Sequence, residues 1–202
     1  MTLNNGDYSY SLVDRSEIKD FIEANHYSKS INGVMANYCF AMYHQGNLIG
    51  AMLYGKLGMA NAWKKYADHP DKVIELRRLV LIDDTPKNSE SWFIGKTLRW
   101  LKNNTAIETV VSYADPNYGH SGIIYQATNF DLIGKTAKGK VIMWNGKKYH
   151  DKAIRTKYNG KLKPFAQRLK DALEKGEATY VTQEPKNIYV KTIKPAKLAQ
   201  GE

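Results

Sequence analysis

Apolar and polar positions along the chain follow two rhythms, a period of two and a period near 3.6, and the switches between them mark strands and helices. Residues 8–13 alternate as a strand. Asp14 or Ser16 can cap the helix that follows, which carries Ile18, Phe21 and Ile22 on one face and stops near Asn25, leaving His26-Tyr27-Ser28 at its C-terminal mouth. Residues 37–44 and 48–56 are apolar runs joined by Gln45-Gly46-Asn47, a hairpin signal. Residues 72–82 form a strand too apolar for a sheet edge apart from Glu75, Arg77 and Arg78, and Asp83-Asp84-Thr85-Pro86 breaks it. A helix from Asn88 or Ser89 to Asn103-Asn104 sets Ile94, Leu98 and Leu101 on one stripe. The pattern then predicts a strand over 108–115, a helix within 119–129, strands around 132–137 and 140–149, a helix over 164–175, and a terminal hairpin of 178–181 with 188–193. Strands alternating with helices after an initial hairpin make an α/β protein with a mixed central sheet and helices on both faces.

Length and composition are those of one globular domain, or of one domain with an appendage. The single cysteine, Cys39, sits in an apolar strand, so no disulfide can form within the chain and a reducing compartment fits. No apolar run reaches 18 residues and the N-terminus lacks the pattern of a signal peptide, so the expectation is a soluble, unsecreted protein without a membrane partner. The formal charge of +10 is unevenly placed: residues 135–170 hold twelve Lys or Arg against one acid, Asp151, which leaves the remainder close to neutral. A basic third on a neutral body suits a polyanion, because each cation near a phosphate releases condensed counterions. Lys147, Lys148, Arg155, Lys157, Lys161 and Lys163 are the candidate nucleic-acid contacts, interleaved with Trp144, Tyr149, Tyr158 and Phe165, which could stack on bases. The plain alternative is a solvated lysine-rich face.

The densest stretch is 110–136, VVSYADPNYGHSGIIYQATNFDLIGKT. An apolar strand ends in Asp115-Pro116, a glycine-rich turn follows, and a short helix carries Tyr125. Ligands collect outside the carboxyl ends of strands in open α/β sheets, so Asp115 stands where substrates bind. A structural reading is also available for each residue: an Asp before Pro is often a turn residue, a helix Tyr a core aromatic, His26 a helix cap, and Glu75 with Arg77 a mutually paired couple.

The segment IYQATNFDLIG, residues 124–134, resembles the last motif of the GNAT acyltransferases, in which a helix tyrosine is the general acid. More narrowly, the chain resembles the phage Mom-type DNA modification proteins. The matching pieces are His26-Tyr27, ELRRL at 75–79, PKNSESWF at 86–93, SYADP at 112–116 and the run from Gly119 to Asn129, and the resemblance as a whole covers about residues 10–150. The resemblance implies a GNAT-like catalytic domain over 1–150 with a basic C-terminal extension over 151–202. It implies modification of the exocyclic amine of adenine in double-stranded DNA, in the host-cell cytoplasm, as protection against restriction. By the same resemblance His26, Tyr27, Asp115 and Tyr125 are the catalytic residues with Arg78 beside them, and an iron has His26 and Asp115 as candidate ligands. The donor implied is an activated glycine, carried on tRNA, giving a carbamoylmethyl group.

The chemistry of these residue types is consistent with that role. An aromatic amine is a poor nucleophile, its lone pair delocalised into the ring, so an acceptor must take its proton as the bond forms. Asp115 can do so, and His26 is the other candidate base. Tyr125 can donate to a leaving group or an oxyanion, and Arg78 can hold an anionic part of a substrate or keep Asp115 ionised. One departure from the GNAT pattern concerns the donor. The loop that cradles the coenzyme A pyrophosphate is glycine-rich in those enzymes, whereas here Lys87, Asn88 and Ser89 occupy its place with Glu90 next to them. Acetyl-CoA is therefore the less expected donor, with Lys87, Asn88 and Ser89 as donor contacts. Two other readings stand beside this one: an acetyl-CoA-dependent N-acyltransferase acting on a protein or small amine, and a non-catalytic nucleic-acid binder on a GNAT-like scaffold.

Overall fold

Alternation in the first half of the chain builds a sheet with two apolar faces. In the computed structural model, which describes residues 7–193, β1 (Tyr8–Val13), β2 (Tyr38–His44), β3 (Asn47–Gly55) and β4 (Val73–Leu81) form an antiparallel meander. Helix α1 (Arg15–Asn25) connects β1 to β2, and α2 (Ser89–Asn104) leads from β4 to β5 (Thr109–Ala114), which runs parallel to β4. Because successive strand side chains point to opposite faces, one apolar run serves two cores. Phe40, Met42, Met52, Tyr54, Ile74 and Leu76 bury with Phe93, Ile94 and Leu101 of α2. Cys39, Ala41, Ala51 and Leu53 bury with Ile18 and Ile22 of α1. Tyr54, a phenol deep in the first core, meets its hydrogen-bonding need at Thr97 Oγ1, 2.8 Å away.

After β5 come the short helix α3 (Ile123–Ala127) and β6 (Asp131–Lys135). The last strand, β12 (Asn187–Thr192), pairs antiparallel with β5 and lies between it and β6, giving seven strands in the order β1-β2-β3-β4-β5-β12-β6. These elements make one compact unit of residues up to 114, 120–134 and 187 onward.

A second unit comprises residues 115–119 and 135–186. Its sheet has β7 (Gly139–Trp144) between β8 (Lys147–His150) and β11 (Thr179–Gln183). A two-stranded ribbon, β9 (Lys157–Tyr158) with β10 (Lys161–Leu162), precedes α4 (Pro164–Glu174). Leu169 and Ala172 of α4 bury with Ile142 and Ala178, rimmed by Trp144 and Tyr149.

Three elements differ from the sequence pattern, two for a local reason and one through distant strand pairing. The expected strand over 140–149 is a hairpin, because Asn145 and Gly146 take φ of 47° and 73° and so form the tight turn that joins antiparallel strands. The helix within 119–129 shrinks to Ile123–Ala127, since Gly119 and Gly122 take φ of 77° and 86°, which a right-handed helix does not admit. The expected terminal hairpin is absent: β11 pairs with β7 and β12 with β5, in different sheets.

Candidate active site

The sheet forks between β4 and β5. Their pairing runs from Val73↔Thr109 to Leu76↔Ser112. Beyond that point β4 continues with β3 alone, and Tyr113 and Ala114 continue with β12 alone. Two parallel strands that part leave unpaired backbone groups and an opening at their carboxyl ends. At the fork the Ser112 hydroxyl donates to Leu76 O at 3.2 Å.

A β-bulge in β4 arms this opening. The register shifts so that Tyr54 faces Leu76 while Leu53 faces Arg78, which makes Arg77 the extra residue. Glu75, paired with Gly55, and Arg78, paired with Leu53, therefore share the α1 face with Arg77, and two consecutive arginines lie on one side. Arg77 Nη1 donates to Lys56 O at 2.7 Å and lies 3.7 Å from Glu75 Oε2. Arg78 Nη1 donates to Arg77 O at 2.7 Å. Among the described residues the Nε atoms of both arginines are buried without a hydrogen-bond partner. A buried donor left unpaired costs about 1–3 kcal/mol, more when charged, so the pair is poised for an anionic ligand. Burial works against the charge of Arg78, which Tyr27 and Glu75 favour and Arg77 opposes.

His26 follows α1, is 7% exposed, and lies with its ring 4.1 Å from that of Tyr27, tilted by 33°; the Tyr27 ring is itself 5.0 Å from that of His120. Its Nδ1 accepts from the Ser28 backbone N–H at 3.1 Å and meets Ser28 Oγ at 2.8 Å, so the neutral ring carries its proton on Nε2. Burial, then the charges of Arg78 and His120, lower its pKa to about 4. The consequence for stability has a definite sign. An unfolded histidine titrates near 6.5, so between pH 6.5 and 4 the unfolded chain binds the extra proton, and stability falls as pH drops, by about 3 kcal/mol in total. Urea unfolding of the wild type and of His26→Gln at pH 7 and pH 4 should show a smaller acid loss in the variant; equal losses would contradict burial of a neutral ring.

Tyr125, on α3, packs its ring against Tyr189 at 5.1 Å and Phe130 at 5.5 Å. Burial raises its pKa, Tyr27, Glu75 and Tyr189 add to the rise, and a hydrogen bond with Ser112 offsets part of it. It is thus a phenol at neutral pH, a proton donor. His26, Tyr27, Arg78 and Tyr125 fall within one electrostatic neighbourhood of the first unit.

Asp115 directly follows β5, is 3% exposed, and caps the 3-10 turn Pro116–Tyr118. Its Oδ1 accepts from Asn117 N–H at 3.0 Å and Asn117 Nδ2 at 2.8 Å, and its Oδ2 pairs with Lys186 Nζ at 2.8 Å. Burial alone would raise its pKa, but Lys186 and Asn117 outweigh burial and hold it below the ordinary carboxylate value. The residue that keeps Asp115 ionised is therefore Lys186, which no local sequence signal identifies.

At the start of α2, Lys87 and Asn88 are exposed and Ser89 is buried, its Oγ donating to Pro86 O at 2.6 Å. Asn88 adopts φ 74°, Ser91 Oγ turns back to Asn88 O at 3.0 Å, and Glu90 stands in the first turn. Hydroxyls turned inward and a carboxylate at the mouth do not fit a coenzyme A pyrophosphate held in the usual backbone cradle. For an iron, His26 offers only Nε2 and the Asp115 carboxylate is shared with Lys186 and Asn117. Among the described residues no group of three or more His, Cys, Asp or Glu comes together that could hold a metal ion.

In the second unit Lys147, Lys148, Arg155, Lys157, Lys161 and Lys163 are all exposed. The pairing of Glu75 with Arg77 expected from the sequence is present at 3.7 Å. Ser112 and His120 lie inside the matched motifs without a role of their own in the sequence, and the bulge at Arg77 and the distant strand of Tyr189 leave no local signal.

The sequence model of the Mom protein family matches residues 7–195. A curated relative, the methylcarbamoylase mom of Escherichia phage Mu, is 31% identical over 137 residues, covering 66% of this chain and 56% of that protein, so the chain spans little more than half of that relative's length. Among solved structures, Arabidopsis thaliana NAA60 in complex with acetyl-CoA superposes with a TM-score of 0.53 at 9% identity, covering 92% of this chain and 98% of that one. An N-acetyltransferase from Staphylococcus aureus Mu50 gives 0.52 at 14% identity, covering 94% and 100%. The fold is thus GNAT-like. Among the described residues no helix is long and apolar enough to cross a membrane.

Proposed function

The chain belongs to the Mom protein family, and from that premise we propose that it is a phage DNA-modifying transferase that places a glycine-derived group on the 6-amino group of adenine in double-stranded DNA. The observation that carries the reading is the fork between β4 and β5, where a buried phenol, a neutral histidine and an under-satisfied arginine pair share one neighbourhood. The name of the phage Mu relative, methylcarbamoylase, supports a group of that kind. Phages gain protection from restriction by such a mark, and the reaction belongs inside the host cell.

The family resemblance suggests the roles, and the protonation states support them. Asp115, kept ionised by Lys186, accepts the proton that leaves the adenine nitrogen as the new N–C bond forms. His26, with Nδ1 occupied and a pKa of about 4, serves as an Nε2–H donor. With an aminoacyl ester of tRNA as donor, the ester C–O bond breaks and Tyr125 supplies the proton to the departing oxygen. Arg78, with Arg77, receives an anionic part of the donor or of the DNA backbone. The product of this step is a glycyl amide on the adenine nitrogen; the isomeric carbamoylmethyl mark needs a further rearrangement in which that nitrogen moves from the carbonyl to the methylene carbon and the glycine amine moves to the carbonyl. Adenine must leave the stack to react, and the exposed ring of Tyr27, 43% accessible, is a surface to hold it.

Feeding carbon-labelled glycine to cells expressing the protein and weighing nucleosides from their DNA should show a heavier adenine nucleoside whose added mass carries label beyond that which the ring of unmodified adenine takes from glycine. No heavier nucleoside, or one whose added mass is unlabelled, from cells containing folded protein, would contradict the reading. Acetyl-CoA as donor, suggested by the acetyl-CoA complex among the structural neighbours, would instead show as label from acetate.

A further inference from the structure

The basic third of the chain carries four aromatic residues among its lysines, and the structure separates them. Trp144, Tyr149 and Phe165 lie against one another, with ring centroids 5.1–6.3 Å apart, where α4 meets the small sheet. Tyr158 packs on none of these and is 70% exposed. It stands on the ribbon β9–β10, where Tyr158 faces Lys161 and Lys157 faces Leu162. Asn159 and Gly160, with φ of 48° and 76°, close the ribbon in the tight turn suited to right-twisted strands. Only Leu162 is partly buried in the segment 157–163. A two-stranded ribbon with so little core contributes little to folding on its own, yet it holds Lys157, Lys161 and Lys163 and no acid. Asp151, the one acid in residues 135–170, is taken up by Arg155 at 2.8 Å and His150 at 3.0 Å.

We propose that the 157–163 ribbon is a groove-entering finger that docks the protein on double-stranded DNA, its lysines on the phosphates and Tyr158 against a base. The inference rests on DNA being the substrate. The B-form major groove, about 12 Å wide, admits a two-stranded ribbon, whereas that of A-form RNA is deep and narrow. An aromatic ring between phosphate-bound lysines stacks on any exposed base face and can wedge beside a nucleotide drawn out of the helix.

Anisotropy titrations of the full chain with a labelled DNA duplex, the same sequence as duplex RNA, and a tRNA, each over a salt series, test this. The triple variant Lys157→Gln, Lys161→Gln, Lys163→Gln should flatten the salt slope on DNA by up to about 3, at about 0.9 per phosphate contact. Tyr158→Ala should keep the slope and bind about 10-fold more weakly, with Tyr158→Trp restoring affinity. An unchanged slope in the triple variant, or unchanged affinity for Tyr158→Ala, would overturn the proposal, as would lysine dependence confined to tRNA. Unaltered thermal unfolding keeps the comparison valid, all the substitutions being at exposed positions. Nucleoside masses on the same variants separate the two readings. Ribbon-dependent DNA binding without a wild-type adduct spares the docking surface and removes the adenine chemistry; an adduct with ribbon-independent binding does the reverse.

Discussion

Asp115→Asn lowers adduct formation by about 10²–10⁴-fold, the range of a lost general base, while leaving the fold and DNA affinity close to wild type. The substitution is selective because of how the carboxylate is held. Asn Oδ1 can still accept from Asn117 N–H, now at 3.0 Å, so the turn that Asp115 caps persists. Lys186 loses its partner, but its side chain is 44% exposed and water can solvate the ammonium. What disappears is the negative charge and with it the proton acceptor. Rates of adduct formation on a fixed duplex, beside the affinity for that duplex, give the result; a variant as active as wild type would remove Asp115 from the chemistry and leave it a capping residue.

Gly122→Ala is expected to destabilise the protein by about 2–5 kcal/mol, combining left-handed backbone strain with overpacking. Gly122 sits at φ 86°, and a Cβ there would stand 2.3 Å from Tyr189 Cε2 and 2.5 Å from its hydroxyl oxygen. Tyr189 is 1% exposed and cannot swing aside; its hydroxyl donates to Ser121 O at 3.0 Å and accepts from Gln126 at 3.2 Å. The same ring supports Tyr125. Loss of stability and of adduct should therefore come together, measured by urea unfolding and nucleoside mass. A variant within 0.5 kcal/mol of wild type, roughly the reach of an ordinary surface change, would mean that this close packing is not what seats α3.

The meander and both long helices were legible because their apolar periodicity is strong and local: Phe40 and Met42 against Cys39 and Ala41 announce two faces without any tertiary information. The place of β12 was not. Its partner β5 lies far back in the chain, and nothing between residues 178 and 193 reveals that Thr179–Gln183 and Asn187–Thr192 serve different sheets. The site was legible in part for the same reason. Resemblance supplied His26, Tyr27, Asp115 and Tyr125 as short ordered motifs, and the fold sets the protonation of His26, Asp115 and Tyr125. The arginine pair needed the bulge at Arg77, since one inserted residue changes which face every following side chain takes. Lys186 and Ser112 act through contacts made only in the folded chain. Trp144, Tyr149 and Phe165 read as base-stacking candidates beside lysines, but in the folded unit they pack on one another, whereas Tyr158, at 70% exposure, packs on none of them.

The most direct measurement is the mass of every nucleoside in DNA from cells expressing the wild type or Tyr125→Phe, with both proteins shown to be folded. The account predicts a heavier adenine nucleoside with the wild type, and at least 100-fold less of it with the variant, whose missing hydroxyl removes the proton for the leaving group. Unmodified adenine with the wild type, or equal adduct from both proteins, would contradict it.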